Sequence, residues 1–163
     1  MAALIPPTPL VFEANSLYLL IRDRGDTYVF LWSLYLTTTA TEGIQFHIVN
    51  DVGPTDWKYE RTSKNEILCL HDLLVALKIG VVGPTMHGAL SDRLALVPLT
   101  LYSTRFRENL SCRVWVKEAL FALDDEGYLN LEKTVQEIEE EATYLAMMAK
   151  SKGNRKVMRS ATC

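Results

Sequence analysis

From Tyr28 to Leu36 the chain alternates. The even positions, Tyr28, Phe30, Trp32, Leu34 and Leu36, are all large and apolar, whereas the odd positions, Val29, Leu31, Ser33 and Tyr35, are mixed. A period of two predicts a strand over Thr27–Thr37, with one solid core face and one face under a less continuous cover, such as a helix over a cleft. Leu17–Arg22 predicts the strand before it, joined through Arg-Asp-Arg-Gly-Asp at 22–26, where Gly25 can take positive φ. Ile44, Phe46 and Ile48 alternate with Gln45, His47 and Val49, which predicts a strand over Ile44–Asn50 and a turn at Asp51-Val-Gly-Pro-Thr. Trp57, Tyr59 and Arg61 alternate with Lys58 and Glu60 and predict another over Asp56–Arg61. Glu66–Val82 fits a helix or two short buried strands. Its β-branched residues and the bounding Gly80 and Gly83 favour at least one strand within Leu73–Val82, and a last strand is expected at Leu99–Ser103.

Spacing of three and four takes over in the second half. A short helix is expected around Gly88–Leu96, stopped by Pro98. From Asn109 to Leu123, Cys112, Val116, Ala119, Leu120 and Leu123 share a stripe, and Arg113, Lys117 and Asp124 lie outside it. Asn109 or Ser111 can cap this helix and Gly127 can end it. Leu131–Lys150 predicts a long helix capped by Asn130, with Val135, Ile138, Ala142, Leu145 and Met148 or Ala149 as its apolar stripe. The fold class is therefore α+β: an antiparallel sheet of about four to six strands packed against a cysteine-bearing helix and a long C-terminal helix. Residues 1–14, with Pro6, Pro7 and Pro9, read as an extended arm, 15–149 as a single domain, and 150–163 as a basic tail expected to lack order.

Composition narrows the function classes. The chain of 163 residues is nearly half hydrophobic, enough for one domain with a real core. Its formal charge is −3, but Lys150, Lys152, Arg155, Lys156 and Arg159 fall in the last fourteen residues without an acid. Setting these five aside leaves twelve basic against twenty acidic residues, a body near −8. An acidic body argues against nucleic-acid binding, which needs clustered cations. Cys69, Cys112 and Cys163 give no disulfide framework, as suits a reducing, cytoplasmic setting. The best apolar run, Leu73–Val82, contains Lys78 and is too short to span a bilayer, so no membrane insertion is expected. A homodimer is compatible with the sequence.

The chemistry centres on Cys112, which stands in the first turn of its helix, where unpaired N–H groups and the dipole favour thiolate. The competing reading is a small apolar residue filling a helix end. Cys69 and His71, two apart, lack a second close pair for a metal. His87 precedes Gly88 in a loop that can border a pocket. Trp115, flanking the apolar stripe, is the tryptophan expected nearest a ligand. No phosphate-binding glycine loop or dinucleotide fingerprint is present, and neither a cofactor nor a metal is expected.

Three segments, Phe30-Leu31-Trp32-Ser33-Leu34-Tyr35-Leu36, Phe46-His47-Ile48-Val49-Asn50 and Ser111-Cys112-Arg113-Val114-Trp115-Val116-Lys117, stand in an order that resembles small fungal proteins similar to the circularly permuted papain-like group. That group includes the NlpC/P60-like and lecithin:retinol acyltransferase-like enzymes. The resemblance covers roughly residues 15 to 145. It implies that Cys112 matches the nucleophile and His47 the orienting histidine, while the position of the general base falls on Leu31. A leucine cannot generate a thiolate.

An isobutyl group at that spot turns a polar cleft into an apolar one, with Val29, Leu31, Ser33, Gln45 and Trp115 as expected binding residues. The expected function is a cofactor-free cyclase or isomerase acting on an apolar terpenoid or polyketide intermediate of secondary metabolism, including an intramolecular [4+2] cycloaddition. There Tyr35, His47 or Arg113 would bond a carbonyl of the bound molecule. The alternatives are a cysteine hydrolase or acyltransferase using Cys112, and a non-catalytic small-molecule binding module.

Overall fold

A computed structural model describes residues 11–25, 28–65, 72–152 and 156–159. Six strands form the main sheet: β1 (Ser16–Asp23), β2 (Phe30–Thr37), β3 (Glu42–Val49), β4 (Lys58–Asn65), β5 (Leu73–Val81) and, at the C-terminal end, β8 (Lys156–Arg159). Their order is β4-β3-β2-β1-β5-β8, antiparallel throughout except that β8 runs parallel to β5. Between β5 and β8 the chain makes α1 (His87–Ala95), a two-residue pair β6 (Tyr102–Ser103) and β7 (Glu108–Asn109), then α2 (Cys112–Asp125) and α3 (Val135–Lys152). The expected α+β class, an antiparallel sheet against the cysteine-bearing helix and a long C-terminal helix, is the class observed.

The even face of β2 is core as its alternation predicts. Phe30, Trp32, Leu34 and Leu36 are buried with Phe46 and Ile48 of β3 and the inner sides of α2 and α3. Tyr28 departs from the pattern and is exposed, because it precedes the strand. On the opposite face Phe12, Tyr18, Leu20, Tyr35, Leu73 and Ala76 make a second, smaller cluster. Phe12 therefore packs against the sheet, although it falls in the segment expected to be an extended arm.

Four elements differ from expectation. β4 starts two residues later than Asp56 and continues to Asn65, since the turn is closed by the Asp56 N–H on the Gly53 carbonyl. The strand expected at Leu99–Ser103 is only the two residues of β6. The long helix begins at Val135 rather than Leu131. Thr134 and Glu137 cap each other's backbone N–H groups at 3.1 and 3.2 Å, a reciprocal box that fixes the start, while the Leu131 N–H donates to Asp124. The basic tail is not outside the fold: Lys150 and Lys152 close α3 and Lys156–Arg159 extend the sheet. Residues 1–10, 26–27, 66–71, 153–155 and 160–163, with Cys69, His71 and Cys163 among them, lie outside the described residues.

Candidate functional site

The site arises where the sheet opens. β1 and β2 pair from Leu17 with Leu36 through Asp23 with Phe30. β2 and β3 pair only from Leu34–Phe46 to Thr37–Gly43. Beyond that point β3 stays with β4, its His47, Ile48 and Val49 opposite Glu60, Tyr59 and Lys58, and among the described residues Phe30–Ser33 pair with no strand on their other side. The head of α2 meets β2 beside this gap. Ser111 caps the helix, its hydroxyl accepting from the Val114 N–H at 3.2 Å. Asn109, the other possible cap, belongs to β7 instead.

Cys112 completes the β2 backbone. Its Sγ accepts from the Trp32 N–H at 3.5 Å and donates to the Phe30 carbonyl at 3.8 Å. The sulfur thus bridges the two neighbours of Leu31. Burial pushes the thiol above its ordinary value, outweighing the Trp32 N–H and the charge of Arg24, which act the other way. The S–H therefore stays protonated at neutral pH and is committed to a backbone carbonyl.

A cleft of about 1110 Å³ occupies the gap. Val29, Leu31, Trp32 and Ser33 line it from β2 and the residues before it, and Gln45, His47 and Ile48 from β3. Trp57 precedes β4, and Thr143, Tyr144 and Met147 come from α3. Leu31 is 38% exposed, so the leucine faces the space instead of filling core. Ser33 and Gln45 are buried and bonded to each other, the Gln45 amide donating to the Ser33 hydroxyl at 3.1 Å.

His47 lies directly across the strands from Glu60, Nε2 to Oε2 at 3.3 Å. Burial lowers its pKa, and Glu60 only partly offsets that. At neutral pH the imidazole is therefore neutral, with its Nε2 turned to the Glu60 carboxylate. Among the described residues no hydrogen bond joins His47 to Cys112.

Two expected site residues are elsewhere. Tyr35 belongs to the second cluster; its hydroxyl donates to the Lys64 carbonyl at 2.9 Å, and burial, then the charge of Glu42, push its pKa up to about 12. Trp115 is fully buried against Tyr59, with ring centroids 5.9 Å apart, and does not line the cleft. Arg113 lines the cleft but is held by Glu108 at 2.5 Å and by Glu139. Lys117, expected on the solvent side, is buried between Glu108, Glu139 and the Phe106 ring. His87 bonds the Val82 carbonyl at 2.8 Å, away from the cleft. The contributions of Trp57, Arg22, Arg24 and α3 were not visible in the sequence, since only the tertiary fold brings them to one gap.

A family model matches residues 16–159, from the first residue of β1 to the last of β8. The chain belongs to DUF6914. This is a family of unknown function, and the DUF6914 match takes in every element that builds the cleft. No curated protein and no solved structure matches the chain.

Proposed function

We propose that the protein is a cofactor-free isomerase or cyclase that takes an apolar small molecule into the cleft, with His47 rather than Cys112 meeting the reacting part of that molecule. One observation carries this reading: the Cys112 hydrogen is held by the Phe30 carbonyl, the thiol is pushed up by burial, and Leu31 stands beside it where a base would be needed.

The aliphatic and aromatic part of the lining, Val29, Leu31, Trp32, Ile48, Trp57 and Met147, favours an apolar ligand body, and a neutral His47 oriented by Glu60 is suited to accept a proton. In an isomerisation, the imidazole takes a proton from a carbon next to a carbonyl or double bond. The freed electron pair moves into that π system, and the proton returns at another carbon. A cyclisation needs only that the cleft hold the reacting ends close together.

The test compares thiol reactivity with turnover. Iodoacetamide labelling at pH 7, followed by peptide mass spectrometry, is expected to modify Cys112 slowly, with a rate that rises only as pH passes the ordinary thiol range. Against linear terpenoid and polyketide precursors, Cys112→Ala is expected to keep turnover and His47→Gln to lose it by about 100-fold or more, the usual contribution of a general base. Rapid labelling at pH 7, with ester hydrolysis abolished by Cys112→Ala, would establish a thiol hydrolase instead.

A further inference from the structure

We propose that the substrate carries a ketone or enone carbonyl on its apolar body, and that the Ser33 hydroxyl, backed by Gln45, is the donor that holds the carbonyl oxygen at the inner end of the cleft. This rests on the preceding reading of an apolar cleft served by His47 and adds the functional group on which the site acts.

Leu34 with Phe46 is the last pair before β2 and β3 part, so the next residues, Ser33 and His47, stand on the two lips of the fork. Side chains alternate along a strand, which puts Ser33 on the sheet face of Tyr35 and His47 on that of Gln45, the register partner of Tyr35. Ser33, Gln45 and His47 therefore share one face at the apex, and all three line the cleft. Two residues along a strand are ~7 Å apart, which separates His47 from Gln45. A carbonyl and its neighbouring carbon, with a hydrogen bond at the oxygen and an imidazole at the carbon, span a gap of that order.

Among the described residues that line the cleft, Ser33 and Gln45 are the two buried polar side chains. They share one bond, in which the Gln45 amide donates to the Ser33 hydroxyl. The Ser33 oxygen is thus taken up as an acceptor, while its own hydrogen has no acceptor among the described residues. Thr62, opposite Gln45 on β4, does not complete the set either, since its Oγ1 is buried without a partner. Buried polar groups are normally satisfied, so a rung with this shortfall suits the polar atom of a bound molecule. What Ser33 offers that molecule is a neutral donor, strengthened by the bond it accepts, and its fit is an uncharged acceptor. The other side chains expected to bond a carbonyl are engaged, Tyr35 with the Lys64 carbonyl and Arg113 with Glu108 and Glu139.

A carbonyl is also the group that makes a neighbouring C–H acidic enough for His47. When the imidazole takes that proton, the C–H electron pair forms the C=C of an enolate and the carbonyl π pair moves onto oxygen. The Ser33 O–H meets the charge that develops there. Return of the proton at the far end of the π system completes the isomerisation.

Infrared spectroscopy of 1-tetralone bound to the full chain tests the donor, because a hydrogen bond lowers the carbonyl stretch. The expected band lies below that of 1-tetralone in hexane. Ser33→Ala should return it to the hexane position, and Ser33→Thr, which keeps the hydroxyl, should not. Ser33→Cys, with only a weak S–H donor, takes the place of the alanine variant if a thermal melt shows that one unfolded. Proton NMR in D2O follows the step itself: wild type should exchange the hydrogens next to the carbonyl for deuterium, and Ser33→Ala should slow this by about 100-fold. Calorimetric affinity for tetralin, the same skeleton without the carbonyl, should stay unchanged in the variant. A bound ketone with the hexane stretch, or a lowered stretch that persists without the hydroxyl as a water would give, overturns the Ser33 assignment and leaves the apolar cleft standing. A lowered stretch without exchange overturns the carbonyl as the reacting group. If neither compound binds the wild type, the apolar cleft itself is refuted.

Discussion

Cys112 and His47 line the same cleft, yet each is committed to a different neighbour. The cysteine sulfur bridges the backbone on both sides of Leu31, and the histidine faces a carboxylate across the sheet. A helix N-terminus favours thiolate, but here that effect loses to desolvation, so the residue that looks most reactive in the sequence serves as a main-chain bonding partner. Its placement depends on the residue before it. Ser111 has extended backbone and holds the Val114 N–H, which sets where the helix starts and where the sulfur lies. Ser111→Ala is expected to cost about 1 kcal/mol of unfolding free energy, as loss of an N-cap typically does, measured by urea denaturation. The variant should also label faster with iodoacetamide than wild type, since a frayed first turn releases Sγ from the Phe30 carbonyl. A stability loss with unchanged labelling would mean that the cap does not govern the thiol.

At the level of elements, β2 organises the site through its two halves. The half from Leu34 to Leu36 is paired on both sides, and Gly43 of β3 permits this by its lack of a side chain. A Cβ at Gly43 would stand 2.5 Å from the Leu36 carbonyl oxygen and 2.6 Å from the Tyr35 ring. Because one of those obstacles is backbone, Gly43→Ala must push the strands apart where they are still joined. It is expected to destabilise by about 2–3 kcal/mol, the upper part of the overpacking range, read from thermal or urea unfolding. A loss under 0.5 kcal/mol, a surface-like effect, would show that the pair yields easily.

The alternation of β2 was legible in the sequence, as were the position of β3, the start of α2 and Ser111 as one of its two possible caps, because period and cap chemistry are local. The parting of β2 from β3 was not legible, since nothing in Phe30–Ser33 or His47–Asn50 encodes which strand each half will keep. For the same reason Tyr35 was misplaced. Sharing a strand face with Leu31 and Ser33 does not put it in the cleft, because that face passes from the open gap to the second cluster within a few residues. Trp115 was misplaced for a different reason: α2 is covered by the sheet and by α3 together, so its buried arc is wider than one stripe and includes Lys117.

Across the whole molecule, carboxylates and one histidine tie the layers together, and their pKa directions fix how stability varies with pH. No helix among the described residues is long and apolar enough to cross a membrane. What joins α2 and α3 to β7 is partly electrostatic: Arg113 and Lys117 of α2 meet Glu108 of β7 and Glu139 of α3, and Lys150 of α3 reaches Asp23 of β1 at 2.8 Å. Hydrogen bonds from Arg113 hold Glu108 below 4.5, and those from Lys150 hold Asp23 below 3.8. His47 is held below 6.5 by burial.

All three shifts are downward, so between each group's ordinary value and its native value the unfolded chain binds protons that the native chain does not, and stability falls as pH falls. The melting temperature should therefore begin to drop below about pH 6.5 through His47, and drop more steeply below about pH 4.5 as Glu108 and then Asp23 lose their cations. Thermal melts from pH 8 to pH 3 on wild type and His47→Gln separate the two windows. The variant should lack the first decline and keep the second. If it follows the wild type between pH 6.5 and 5, His47 is not held neutral by the fold, and its assignment as a proton acceptor at neutral pH loses its basis.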